Sequence, residues 1–520
     1  MLVSVLDYLE QTEKSYPDKV AFVEREKNIT YSAFKKAVQK RTIGIVKILQ
    51  GCSMQHRPVI VMQEKGIDEL ISFMSIAWSG NIYVPFDVEA PDERLKKMLD
   101  LLDPILIIAD EKNVERMQSL QDGAQVVLNE TLGQNETVDE EYLEEMRREI
   151  IDTDPLYIIC TSGSTGVPKG VVVSHRAVID FTEEASEKMR FSQDEKFISQ
   201  VPFYFDVSVL DIYCTMRNAA VLHIVPKQYY TFPAKVIKYI EENQINALIW
   251  VPSALVLVAN LKLLEDVNLS CLKKIMFCGE VMPNKQLNIW RRAVPDAIYV
   301  NYYGPAETTC ASTYYIIDRE FADDDPLPIG KPAYNTGILI LDENNRKVSG
   351  NEIGELCILG SGLALGYYND KQKTKAAFVQ NPLNPFYEER IYRTGDLVRL
   401  NEYNELLYMG RKDYQIKHMG YRIELGEIET AVNGIEGIAM NCCLYDDVQR
   451  NILLIYQGTI DEKSIVKVLR DKLPQYMIPQ VVTKIENMPL NANGKINRVE
   501  LKKRYIGGTD NDDKRNNLRN

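Results

Sequence analysis

No run of apolar residues in this 520-residue chain approaches the length of ~20 that a membrane-spanning helix needs. The nine cysteines contain no CxxC pair, and only Cys442 and Cys443 are adjacent, so neither a zinc site nor a disulfide framework is expected. Basic residues are outnumbered, 61 against 74 acidic, leaving a formal net charge of −13, which argues against a nucleic-acid footprint. The opening MLVSVLDYLEQTEK carries Asp7, Glu10 and Glu13 where a signal peptide needs a basic start and an apolar centre. A cytoplasmic, reducing location is therefore expected. There is no internal repeat.

What is present is a loop of unusual composition. Thr161 to Gly170 reads TSGSTGVPKG and follows an apolar run, Leu156 to Cys160. Hydroxyl donors, backbone amides freed by glycine and a mobile ammonium suit the oxygens of a polyphosphate. A Walker loop is excluded, because Pro168 precedes Lys169 and no Ser or Thr follows it. Val171 to Val173 reads as a strand, so no helix dipole is expected behind the phosphates. The alternative for any Ser/Gly loop is a flexible hairpin or linker. Ten residues in this order argue against it.

At ~150 residues per domain the length allows about three domains. From Leu156 onward, short apolar runs alternate with amphipathic stretches: strand Ala247 to Val251, strand Ile275 to Cys278, helix Asn284 to Ala293 and a strand at Tyr299. This alternation predicts an α/β fold of parallel sheets covered by helices. After Gly410 the pattern becomes a small α+β unit: strand Tyr414 to Lys417, helix Leu425 to Val432, strands near Ala439 and Leu453, helix Ser464 to Lys472 and strand Val481 to Ile485. The expected layout is a large N-terminal domain over 1–412, a small, mobile C-terminal domain over 413–506, and a disordered polar tail over 507–520.

Seven further strings accompany the loop in order: YVPFD (Tyr83–Asp87), FDVS (Phe205–Ser208), YGPAET (Tyr303–Thr308), GELCILGSGLALGYY (Gly354–Tyr368), YRTGD (Tyr392–Asp396), GRKDYQIKHMGYRIELGEIE (Gly410–Glu429) and NANGK (Asn491–Lys495). Together they resemble, over nearly the whole chain, the adenylate-forming superfamily of acyl-CoA synthetases, luciferases and the adenylation domains of nonribosomal peptide synthetases. FDVSVLDIY, FCGEVMP and YQIKHMGYRIEL are most similar to the D-alanine:carrier-protein ligase branch.

The resemblance implies ATP and Mg²⁺. Thr161, Ser162, Gly163, Ser164, Thr165, Gly166 and Lys169 would wrap the phosphates, Glu307 would hold the metal, and Lys495 would be the catalytic cation. Tyr303 would stack on adenine, Asn301 would bond its amino group, Asp396 would hold the ribose hydroxyls with Arg411 near the ribose, and Gly304 and Thr308 would also belong to the ATP site. Read alone, Lys495 is a turn lysine beside Asn493-Gly494 and Asp396 is an Asp in a Gly-Asp turn. One departure stands out: the family's threonine before the metal-binding glutamate is Ala306 here, so either Thr308 or the phosphate loop compensates for the lost hydroxyl, or turnover is slower.

Asp206 matches the aspartate that binds the α-ammonium of an amino acid, its alternative role being the N-cap of a helix over Val207 to Met216. The resemblance puts Val207, Leu210, Trp250, Met276, Cys278, Tyr302, Cys310 and Ala311 around the substrate side chain. Two large aromatics and no charge imply a small or aliphatic, uncharged amino acid. Asp413 matches the hinge about which the small domain turns for a second half-reaction, transfer of the acyl group to the phosphopantetheine thiol of a separate carrier protein, coenzyme A being another possible acceptor. The alternatives are an acyl-CoA ligase acting on a carboxylic acid without an amine, and a nucleotide-binding homologue without catalysis.

Overall fold

The computed structural model describes residues 2–50, 56–121, 123–163, 166–265, 267–490 and 496–506. The chain divides into two compact units, one of Met1–Val88, Leu99–Cys160 and Lys169–Asp413, the other of Glu89–Met98, Thr161–Pro168 and Tyr414–Asn520.

The first unit is built on three sheets. In the nine-stranded sheet, strands Ile298–Tyr303, Lys274–Cys278, Ala247–Trp250, Lys196–Ser199, Val221–Ile224 and Val20–Glu24 lie side by side and parallel, with antiparallel strands closing both edges. The seven-stranded sheet runs from Gly366–Tyr367 through Lys169–Ser174, Pro155–Thr161, Ile82–Pro85, Pro58–Met62 and Leu106–Ala109 to Gln125–Leu128. Its strands PVIVM and LIIA are apolar throughout, and every residue in them is buried, as in a sheet shielded on both faces. Helices start where the sequence supplies caps: the Thr30 side chain accepts from the Ala33 N–H ahead of Tyr31–Ile48, and Ser174 accepts from Ala177 ahead of His175–Met189.

The third sheet departs from expectation. Thr336–Leu341, Gly354–Gly360, Arg390–Leu400, Phe378–Gln380 and Leu406–Arg411 form an antiparallel five-stranded sheet, so the change from parallel organisation comes at Thr336 rather than after Gly410. The reason is visible in RIYRTGDLVRL, where buried and partly exposed positions alternate as in a sheet wetted on one side.

In the second unit, hairpin Gln415–His418/Tyr421–Glu424 leads into helix Leu425–Asn433. A sheet of Ile438–Asp446, Asn451–Gly458 and Val481–Lys484 carries helix Glu462–Lys472. Ile423, Ile428, Val432, Leu454, Tyr456, Ile465 and Leu469 make its core. The helix expected at Ser464 begins at Glu462 because Asp461 caps it, accepting from the Ser464 N–H at 3.0 Å. The tail over 507–520 lies outside the described residues. Among those described, no helix is long and apolar enough to cross a membrane.

Candidate functional site

Strand Ile298–Tyr303 delivers the nucleotide-side residues of the first unit. Tyr303 at its end is buried, and its hydroxyl donates to Asp396 Oδ2 at 2.5 Å. Asp396, 2% exposed, accepts at Oδ1 from Arg411 Nη1 at 2.6 Å, and Arg411 also grips Asp413 through Nε at 2.6 Å and Nη2 at 2.7 Å. The expected ribose carboxylate, adenine-side tyrosine and ribose-side arginine are thus one hydrogen-bonded group. Asn301 is buried two positions back on the same face of the strand, its Nδ2 held by the Pro328 carbonyl at 2.8 Å, which fixes the amide plane.

After Tyr303 the chain turns tightly. A Cβ on Gly304 would lie 2.6 Å from Ala311 Cα and 2.7 Å from the Cys310 carbonyl, so only glycine fits. Thr309 and Cys310 both adopt left-handed φ, 58° and 67°, strain of order 1 kcal/mol or more each that clusters at functional turns. Inside this turn the short 3₁₀ helix Ala306–Thr308 buries Glu307 completely; its Oε1 accepts from the Tyr367 hydroxyl at 2.8 Å. Lys169 stands with its ammonium 5.4 Å from the Tyr367 ring centre. Tyr367, which lies in the GELCILGSGLALGYY string, thus joins Glu307 and Lys169. The Thr308 hydroxyl donates to the Pro305 carbonyl at 3.1 Å and accepts from Ser312 at 2.6 Å, so it braces its own turn.

A lone buried carboxylate fits a Mg²⁺ that arrives with a triphosphate, since this ion takes one or two protein carboxylates and fills its remaining positions with phosphate oxygens and water. No group of three or more metal-ligating side chains occurs among the described residues.

Helix Ser208–Arg217 starts with Val207 in the cap position and no side chain capping it, so Asp206 is not the N-cap. Asp206 is partly exposed. Its charge is felt by two buried neighbours. The Tyr157 hydroxyl is raised by burial, then by Tyr83 and Asp206; the Cys310 thiol is raised by its contact with Cys278, by burial and by Asp206.

Val207, Leu210, Met276, Cys278, Tyr302, Cys310 and Ala311 share one buried apolar cluster. Trp250 is not with them. Strand residues alternate between faces, and Trp250 lies with Leu248, Ile275 and Phe277 in a separate core, its ring 5.6 Å from Tyr230 and 6.5 Å from Trp290. Ile249, opposite Met276, shares the cluster with the other seven. Trp250, expected beside the substrate, therefore packs in a different core from them.

In the second unit, Ser162 donates to the Arg422 carbonyl at 2.7 Å and accepts from the Glu424 N–H at 3.2 Å, while the Gly163 N–H donates to Glu427 at 3.3 Å. Glu427 is buried and ion-paired with Arg94. Thr161 ends the strand leading into the loop, its hydroxyl buried without a partner among the described residues. Gly166 adopts φ +78°, a conformation only glycine takes without strain. Ser164, Thr165 and Lys495 lie outside the described residues.

This geometry stands beside clear relationships to known proteins. A family model described as AMP-binding enzyme matches residues 9–368, and the chain belongs to that family. It is 30% identical to zwittermicin A synthase ZmaJ of Bacillus cereus, over 93% of this chain and 92% of that protein. It is 29% identical to polyketide synthase PksN of Bacillus subtilis (strain 168), over 96% of this chain; here the chain spans 9% of the relative's length. Among solved structures, holo-PA1221, a nonribosomal peptide synthetase protein containing adenylation and PCP domains, superposes with a TM-score of 0.82 at 23% identity, over 96% of this chain and 84% of that one, a likeness of fold. The chain is accordingly an adenylating enzyme of the AMP-binding class with the mixed α/β fold of adenylation domains.

Proposed function

We propose that this enzyme activates a small or aliphatic, uncharged amino acid as its aminoacyl-AMP, releasing pyrophosphate, and passes the acyl group to the phosphopantetheine thiol of a carrier protein. The substrate carboxylate attacks the α-phosphorus in line as pyrophosphate leaves, so the protein's main task is neutralising and holding charge. Asp396 and Arg411 orient the ribose, Tyr303 faces adenine, and Asn301 offers its amide to the base. Glu307 would hold Mg²⁺, which neutralises phosphate charge when bound. Thr161 to Gly166 and Lys169 take the phosphates, and Lys495 stabilises the charge that develops. Asp413 is the hinge between the 1–412 and 413–506 domains. The free thiols of the eight cysteines described support work in a reducing, cytoplasmic setting.

The observation that carries the amino-acid reading is Asp206, a carboxylate whose charge reaches two members of the pocket cluster, Tyr157 and Cys310, while the other pocket residues are apolar. A plain fatty acid offers no cation to pair with it. Pyrophosphate exchange with a panel of L- and D-amino acids and short fatty acids tests this. Exchange is expected only with small uncharged amino acids and is lost in Asp206→Ala. Equal exchange with propionate would turn the assignment toward an acyl-CoA ligase, and none with any acid toward a non-catalytic homologue.

A further inference from the structure

The loop read as the phosphate cradle is closed by its own chain. Within the second unit the Ser162 hydroxyl donates to the Arg422 carbonyl at 2.7 Å and accepts from the Glu424 N–H at 3.2 Å, while the Gly163 N–H donates to Glu427 Oε2 at 3.3 Å. Ser162 is 4% exposed and Glu427 2%, so a solute cannot reach these bonds until the segment that makes them draws back. That segment is built to move as one piece. Strand Tyr421–Glu424 runs into helix Leu425–Asn433 with no residue between them, which couples Glu424 to Glu427. Arg94, itself buried, ion-pairs with Glu427 Oε1, balancing the carboxylate where little water can do so and leaving Oε2 to the Gly163 amide.

A backbone N–H that holds a carboxylate oxygen is equally suited to a phosphate oxygen, since both are anionic acceptors. The two also repel each other, so Glu427 and a polyphosphate cannot share Gly163. We propose that Glu427 is a built-in competitor for the phosphate loop. It holds the Gly163 amide between turnovers, yields it to ATP and retakes it as pyrophosphate leaves, loosening the grip on both polyphosphates and hastening product departure. Glu427 is thus a positioning residue, acting on the reaction through the loop. The competition is reciprocal: whatever closure subtracts from polyphosphate affinity, a bound polyphosphate subtracts from closure. This rests on the reading of Thr161 to Gly170 as the phosphate loop and adds a residue to it.

Two measurements on the full chain test it. In hydrogen exchange read by mass spectrometry, saturating ATP with Mg²⁺ and no amino acid should speed exchange across residues 421–427 by about 10-fold, because the Glu424 N–H loses Ser162 as its acceptor. Slower or unchanged exchange there would mean that closure tolerates bound ATP, and would overturn the proposal without any variant. In Glu427→Gln, which keeps an acceptor but loses its charge, Kd for ATP and KM for pyrophosphate should both fall about 10-fold, with KM for the amino acid unmoved. Arg94→Gln combined with Glu427→Gln reads the same constants should the single change, by stranding a buried guanidinium, prevent folding. Polyphosphate constants that rise or stay, or that move together with the amino acid's KM, would make Glu427 a structural residue only. A wild type that binds no ATP would instead remove the phosphate-loop reading itself.

Discussion

Asp396 is asked to do two things at once. It is 2% exposed and takes bonds from Tyr303 and Arg411, so its carboxylate is already held in a fixed direction, and on the proposed role a ribose diol would only have to join an arrangement that exists. Asp396→Asn keeps the volume and loses the charge. Hydrogen bonds to charged groups contribute about 1.5–3 kcal/mol, so KM for ATP should rise roughly 10- to 100-fold while KM for the amino acid stays put. Initial rates at varied ATP and fixed amino acid measure it; an equal rise in both constants would show a general loss of structure instead. Glu184 is a second residue whose cost is legible. Burial raises its carboxyl from 4.5 to about 7, and one oxygen lacks a partner among the described residues. Between about pH 4.5 and 7 the folded chain keeps a proton that the unfolded chain has released, so stability falls as pH rises through that window and the penalty is complete above it. Glu184→Gln should therefore be stabilised by about 2 kcal/mol at pH 8, allowing for partial solvent access, and unchanged at pH 4.5. Melting temperatures of both proteins at the two pH values decide it.

At the scale of elements, the glycine after strand Ile298–Tyr303 shows how backbone geometry sets the site. Gly304 lets that strand end against the returning segment Cys310–Ser312, with backbone atoms 2.6–2.8 Å from where a Cβ would stand. Neither side can yield without moving Tyr303 or Glu307. Gly304→Ala should cost about 2 kcal/mol or more in stability and reduce exchange by at least 10-fold, and a variant with wild-type melting and activity would show the turn to be softer than this. The parallel strands were readable because apolar runs bounded by helices have few other solutions, and helix Asn284–Ala293 appears with the expected bounds. The antiparallel sheet from Thr336 to Arg411 was not, since its half-wetted alternation carries a weaker signal than continuous burial. Trp250 shows a different limit. A period of two means that an offset of one residue carries a side chain through the sheet, so a correspondence good enough to find the strand can still choose the wrong face.

For the molecule as a whole, the division of the chain gives Asp413 its interest. The first unit ends there and the main segment of the second begins at Tyr414. The Asp413 side chain is tied to Arg411 by two short hydrogen bonds, yet it is 48% exposed, and an ion pair that open to water is worth no more than about 1 kcal/mol. On the proposed hinge role, this pair alone would not hold the residue against backbone rotation. Proline at 413 would lock φ near −65° and bias Lys412 toward extended conformations, freezing the joint while also releasing Arg411 from its second carboxylate. If adenylation and thioester formation need different arrangements of the two units, Asp413→Pro should leave pyrophosphate exchange within about threefold of wild type and slow loading of a carrier thiol by at least 10-fold. Asp413→Ala, which drops the Arg411 contact but keeps the rotation, should load at a near-normal rate. Equal losses in both half-reactions for the proline variant would mean that one arrangement serves both, and the joint would have no catalytic role.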